Sequence, residues 1–467
     1  MKEILECTLS EIAKKIRSKE ISSEDVTRFC LDRIYQTKEK NAFISVYKES
    51  IKVAKACDTM LEAGHILGPL HGVPIALKDN IYLADHVTTA GSKILRDFKP
   101  EYDATTAARL KSAGAVIIGK TNMHEFAWGG TTENPHYGKC QNAWDPERNP
   151  AGSSGGSGSA VASRCCFGAL GTDTGGSVRL PSAVNGISGI RPSVGRVSNY
   201  GVYPLAYSED TVGPMCRTVE DCAIMLQIIA GQDEKDASTA LKTVDNYQRD
   251  LKKGIKGKKI GIIKDYCLCH NQKDVQRAYV KALEQMEQLG AQVVEVELKY
   301  LDELIDAQLI VDAAEPSAIH LNYMREQPEN YGRDVRTLLE VGAGFRATQY
   351  LQALQYRTLL IDHMNEVFEE VDAIATPTLP FTALKIGEPK IEIEPGMVED
   401  NLSANMRYTA IASITGRPAL SVPCGFDHKH LPIGMQLIGQ AFDEKKILRI
   451  GNAYQQSTEF HKMSPWG

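Results

Sequence analysis

The chain has 467 residues, of which 43% are hydrophobic and 24% charged, and its formal net charge is −6. Such a balance is ordinary for a water-soluble globular protein and argues against a general nucleic-acid or membrane-surface binder. The length suits either about three average domains or one large α/β unit.

The opening stretch "MKEILECTLSEIAKKIRSKEISSEDV" has no long apolar run ahead of a cleavage site, and no later stretch reaches the length of an uncharged span. Neither a signal peptide nor a transmembrane helix is expected, and a cytoplasmic location follows as the default. Eleven cysteines are scattered without a framework spacing, which predicts a reducing compartment and mostly free thiols. Residues 8–64 read as helices, with Thr8 and Ser22 as N-caps and Glu11 and Asp25 three residues after them. Ser45-Val46-Tyr47-Lys48 matches S-x-x-K, but no S-D-N partner accompanies it, and a strand after a helix is the better reading.

"GPLHGVPIALKDNI" (68–81) turns to a short β-rich run, followed by a helix over 104–113 and a strand over 114–122. That strand holds the letters of a phosphate-binding loop: Gly114, Gly119, Lys120 and Thr121. A phosphate loop needs curled backbone between strand and helix. Here the middle residues Ala115-Val116-Ile117-Ile118 favour a buried strand, which makes nucleotide binding a remote alternative. "AGSSGGSGSA" (151–160) contains G-x-S-x-G with Ser154 in the nucleophile position of an α/β-hydrolase. Its lead-in "CQNAWDPERNPA" is polar and turn-like where that fold requires a strand, and the late histidines His428, His430 and His461 lie in polar stretches.

A βαβ unit follows, with strands over 258–266 and 291–298 and a helix over 273–289. Cys267-Leu268-Cys269-His270 has no second ligand pair at zinc-site spacing, so it reads as a turn and no metal is expected. Residues 300–365 are mostly helical, 371–380, 417–426 and 431–439 read as strands, and a last helix covers about 442–456.

The Gly/Ser chemistry of 151–160 resumes at "TDTGGSVRLPSAVNGISGIRPSVGRVS" (172–198), after the small, apolar "SAVASRCCFGAL". Two Gly/Ser segments joined by a buried element are not a linker. No histidine lies in either, so a serine nucleophile here needs another base. A lysine serves only when neutral, and burial favours that form. Lys78 follows the apolar "VPIAL"; its neighbour Asp79 would point to the opposite face of a strand. A serine between nucleophile and lysine can accept and donate at once.

The stretch Gly171-Thr172-Asp173-Thr174-Gly175-Gly176-Ser177-Val178-Arg179-Leu180-Pro181, with the upstream Gly/Ser segment and "GVPIALKDN", resembles the amidase signature family of amide hydrolases. "TNMHEFAWGGTTEN", "GPMCRTVEDCAIML" and "GRPALSVPCG" are similar to that family too, so the resemblance covers most of the chain except about 300–400. It implies a single large α/β/α domain over 1–467 with a mixed central sheet flanked by helices. Within it lie an N-terminal helical region (1–65), a signature core (66–260) and a variable, substrate-side helical region (300–400). It implies a catalytic triad of Ser177 (nucleophile), Ser153 (bridge, after a cis peptide from Gly152) and Lys78 (base). It also implies an oxyanion hole from the backbone of Thr174, Gly175, Gly176 and Ser177, and supporting roles for Ser154 and Asp173. The implied reaction is hydrolysis of a small-molecule amide to acid plus ammonia or amine, with no cofactor. Stand-alone amidases are the favoured subgroup; the glutaminase component of a tRNA-dependent amidotransferase is the alternative. Only such a complex would bring nucleic acid near, and a homodimer is compatible with either. The acyl pocket is expected between 121–134, 300–365 and 400–412, with Met123, Phe126, Trp128 and Arg179 as candidate wall residues. A salt bridge is the competing role for Arg179, and His71, His124 and Cys165 read as structural.

Overall fold

The computed structural model describes residues 2–466. Its centre is an 11-stranded sheet. In chain order the strands are β1 (Phe43–Val46), β2 (Pro74–Lys78), β3 (Val116–Thr121), β4 (Gly168–Asp173), β5 (Ser188–Arg191) and β6 (Thr211–Cys216). They continue as β7 (Lys259–Ile262), β8 (Gln292–Glu295), β9 (Ala373–Pro377), β10 (Ala419–Phe426) and β11 (Pro432–Ile438). Across the sheet the order is β1-β3-β2-β4-β6-β5-β10-β11-β9-β7-β8. Pairing is parallel for β3/β2, β2/β4, β9/β7 and β7/β8, and antiparallel elsewhere, so the sheet is mixed and flanked by helices. The parallel β7/β8 pair bridged by the helix Lys273–Gln288 is the expected βαβ unit.

Most elements fall where the residue pattern puts them. Thr8 and Ser22 each cap a helix, accepting from the backbone N–H of Glu11 and Asp25. Several strands are shorter than their apolar runs. The run 258–266 pairs only to Ile262, and Lys264–Cys267 turns helical. The runs 291–298 and 371–380 stop pairing at Glu295 and Pro377. The phosphate-loop reading is overturned: Val116–Thr121 is an extended strand, and buried Lys120 faces Asp79 at 3.5 Å and Thr88 Oγ1 at 3.1 Å. No helix among the described residues is long and apolar enough to cross a membrane.

The segment Gly155–Ala162 departs most from its composition, for it is a helix and buried throughout. Glycine is a poor helix former, so propensity does not explain it; close approach does. A Cβ on Gly156 would lie 2.3 Å from Asn122 O and 2.6 Å from Ala42 O, so the helix rests directly on neighbouring backbone. Gly156→Ala is expected to destabilise the protein by about 1–3 kcal/mol through overpacking, read as a lowered midpoint of thermal unfolding.

Candidate active site

The site forms where two adjacent parallel strands end. Lys78 is the last residue of β2 and Asp173 the last of β4, and the loops beyond carboxyl ends of parallel strands are where open sheets hold ligands. Ser153 lies just ahead of the Gly155–Ala162 helix, and Ser177 in the turn between β4 and the helix Arg179–Asn185. The Gly152–Ser153 peptide is cis. Gly152 is tightly enclosed, since a Cβ there would lie 2.7 Å from Thr131 N and 2.8 Å from Gly129 O.

Lys78 is fully buried; its Nζ donates to Ser153 Oγ at 2.7 Å and to Thr172 Oγ1 at 2.6 Å. Burial brings its pKa down to about 7, against the opposing pull of Asp210 and Asp173. Ser153 is wholly enclosed too, and its carbonyl accepts from His124 N at 3.1 Å. Ser177 keeps 8% of its surface exposed, and its carbonyl accepts from Ser154 N at 3.2 Å. Ser154 Oγ spends its bonds on β4, donating to Thr172 O and accepting from Thr172 N, both at 3.2 Å. It is therefore a brace between the two loops, and the G-x-S-x-G letters mark the wrong serine for an attacking role. The backbone N–H groups of Gly175, Gly176 and Ser177 donate to no protein acceptor among the described residues.

Asp173 holds this turn. Its carboxylate accepts from Val178 N (3.0 Å), Arg179 Nε (3.0 Å), Arg179 Nη2 (2.8 Å) and Arg191 Nη1 (3.1 Å). Burial alone would push its pKa up, but the two guanidinium groups hold the carboxyl well below the usual range. Asp173→Asn is expected to cost about 3–5 kcal/mol, because it leaves two buried cations short of their counter-charge. Chemical denaturation of the variant beside the parent protein measures that loss. Thr174 is fixed likewise, donating from Oγ1 to Asp210 Oδ1 at 2.6 Å.

Arg179 is not a pocket wall. It is fully buried, and its remaining donors go to Thr409 O, Gln436 Oε1 and Ser413 Oγ, which uses all five N–H groups. The salt-bridge role prevails because no donor is left for a substrate. Met123, Phe126 and Trp128 are also buried, packed in a cluster with Tyr331, Val335 and Leu339. A cavity of about 770 Å³ lies alongside, lined by residues that include His124, Thr131, Arg333, Leu338 and Asn405. Its walls come from the three expected segments and from Gly387, Glu388 and Pro389, which sequence reasoning missed. Thr131 abuts Gly152, and Met406, beside the cavity-lining Asn405, packs within 3.4 Å of the Cβ position of Gly175. His124 is largely buried and pairs through Nε2 with Asp334 Oδ2 at 2.9 Å, while His71 Nε2 contacts Cys57 O at 2.9 Å. Cys165 Sγ is 3.2 Å from Thr37 Oγ1. The Cys267–His270 segment belongs to no group of three or more His, Cys, Asp or Glu side chains able to hold a metal among the described residues.

These features together describe a serine hydrolase site built on glycine-rich turns, with a buried lysine where histidine is more usual. The family profile described as Amidase matches residues 25–448. The chain belongs to the amidase signature family, and its class of activity is hydrolysis of C–N amide bonds. It is 39% identical to the GatA-type component of the glutamyl-tRNA(Gln) amidotransferase from Carboxydothermus hydrogenoformans, across 99% of both chains. Its fold matches a chain from a vestigial protein complex described as revealing the evolutionary origins of an s-triazine catabolic enzyme. There the TM-score is 0.92 at 32% identity, over 96% of this chain and 98% of that one. It is also similar to the native peptide amidase of Stenotrophomonas maltophilia, with a TM-score of 0.82 at 29% identity over 97% of each chain.

Proposed function

We propose that Ser177, Ser153 and Lys78 hydrolyse a small carboxylic amide through an acyl-enzyme on Ser177. The observation that carries this reading is the buried Lys78–Ser153 contact of 2.7 Å beside the exposed edge of Ser177. A neutral Lys78 amine donates to Thr172 and keeps a lone pair for the Ser153 hydroxyl proton. Ser177 Oγ attacks the amide carbon and passes its proton to Ser153, which passes its own to Lys78 Nζ. The N–H groups of Gly175, Gly176 and Ser177, with that of Thr174, are the donors for the developing oxyanion. The relay runs back to protonate the leaving nitrogen, ammonia or amine departs, and water then cleaves the Ser177 ester by the same route. All eleven cysteines are free thiols, which suits a cytoplasmic enzyme.

The test is ammonia release from a panel of aliphatic, aromatic and amino-acid amides, glutamine included, with Ser177→Ala as the control. A stand-alone amidase turns over at least one of them unaided. The identity to the amidotransferase component across 99% of the chain supports a second reading, a glutaminase working in such a complex. Under that reading, glutamine turnover appears only when the other components of the complex are added.

A further inference from the structure

Behind the oxyanion loop lies a group of polar side chains that the relay does not use. Glu209, Gln308 and Asp312 are all buried, the last two on the helix Leu304–Ile319. Gln308 Nε2 donates to Glu209 Oε2, but Glu209 Oε1, Gln308 Oε1 and Asp312 Oδ1 have no hydrogen-bond partner. Three buried acceptors without a donor is a costly arrangement for a protein interior. Burial pushes both carboxyls up, Glu209 to about 7 and Asp312 further, the latter raised again by the charge of Glu209.

Neighbouring polar groups are already engaged. Asp210 accepts from Thr174 Oγ1, Leu205 N and Ala206 N, and Glu315 from Ser208 and Tyr350. Arg357 Nη2 goes to Ser208 O, and Arg191 Nη2 to the backbone carbonyl of Glu209. The cluster adjoins the reacting centre: Asp312 Oδ2 lies 3.2 Å from the position a Cβ on Gly175 would take. Only a glycine separates it from the loop that carries Ser177.

We propose that Glu209, Gln308 and Asp312 form a subsite for a primary ammonium group of the substrate. This inference rests on the amide-hydrolase reading. An ammonium brings three N–H donors to three idle acceptors, and its positive charge offsets two buried carboxylates. The preferred amides therefore carry a cationic nitrogen near the scissile carbonyl, as amino-acid amides do.

The experiment compares 3-aminopropanamide with butanamide, which differ by an ammonium in place of a methyl group. The intact enzyme is expected to favour the first by at least about 100-fold in kcat/KM, since a site built to bind a polar group discriminates strongly against an analogue lacking it. Asp312→Asn and Glu209→Gln are each expected to reduce that preference at least about tenfold. Calorimetric binding to Ser177→Ala protein gives a readout independent of turnover, where the cationic amide should bind more tightly and Asp312→Asn should remove the difference. Equal binding of the two amides to Ser177→Ala protein overturns the subsite, whatever the rates. Selective binding without hydrolysis by the intact enzyme overturns the amidase reading and leaves the ammonium site standing. If Asp312→Asn does not fold, the discrimination and binding by the protein with native Asp312 decide alone.

Discussion

Replacing Ser177 with alanine is expected to lower amide turnover by at least about 10⁴-fold while the protein stays folded. The size follows from the role. With the attacking oxygen gone, only the oxyanion donors and the binding cavity remain to help a water molecule. The side chain is small, sits at the edge of the cavity wall and retains 8% exposure, so its loss leaves no large void. Its carbonyl bond to Ser154 N belongs to the backbone and survives the substitution. Rates on the best amide of the panel, with far-UV circular dichroism for folding, are the measurements. A variant with near-normal turnover would remove Ser177 from the mechanism.

A second expected result concerns Lys78 and acidity. The burial that brings its pKa down to about 7 makes the amine available as a base only on the alkaline side of that value. Below it the ammonium form dominates and cannot take the Ser153 proton. Activity is therefore expected to fall about tenfold per pH unit as pH drops below about 7, and to level off above it. The limb should appear in kcat/KM, which reports the free enzyme. Lys78→Ala should cost about 10³-fold or more and flatten the limb. A profile that is level from pH 5 to 9 in the unaltered protein would be incompatible with a lysine base.

The two loops and the lysine strand were legible because each carries its reason in local letters. "VPIAL" ahead of Lys78 demands burial, and the Gly175-Gly176 pair allows a tight turn before Ser177. Thr172, the second partner of Lys78, was missed, though a signal existed. Successive strand residues face opposite ways, so if Asp173 turns towards the arginines, Thr172 turns towards the lysine. Arg179, Phe126 and Trp128 were harder to place. Side chains of their size line a cavity or fill a core equally well, and the choice depends on elements more than 200 residues away, such as Thr409 and Gln436 for Arg179. The Glu209–Gln308–Asp312 cluster has no local signature, since about a hundred residues separate its members. The helix at Gly155–Ala162 ran against composition because tertiary contact overrides propensity there.

The bonds of Arg179 carry a consequence for how the enzyme comes into being on the ribosome. The nucleophile turn is anchored through this side chain to Thr409 and Ser413, and to Gln436 in β11. Arg191, from β5, adds a bond to Ser413 O. Those anchors are synthesised more than 200 residues after Ser177 itself. A nascent chain that has released the whole Lys78–Ser153–Ser177 region therefore still holds two buried-type cations and one carboxylate with nothing to close over them. Catalytic competence should arrive late and all at once, when the last strands dock, and a truncated chain should be inert.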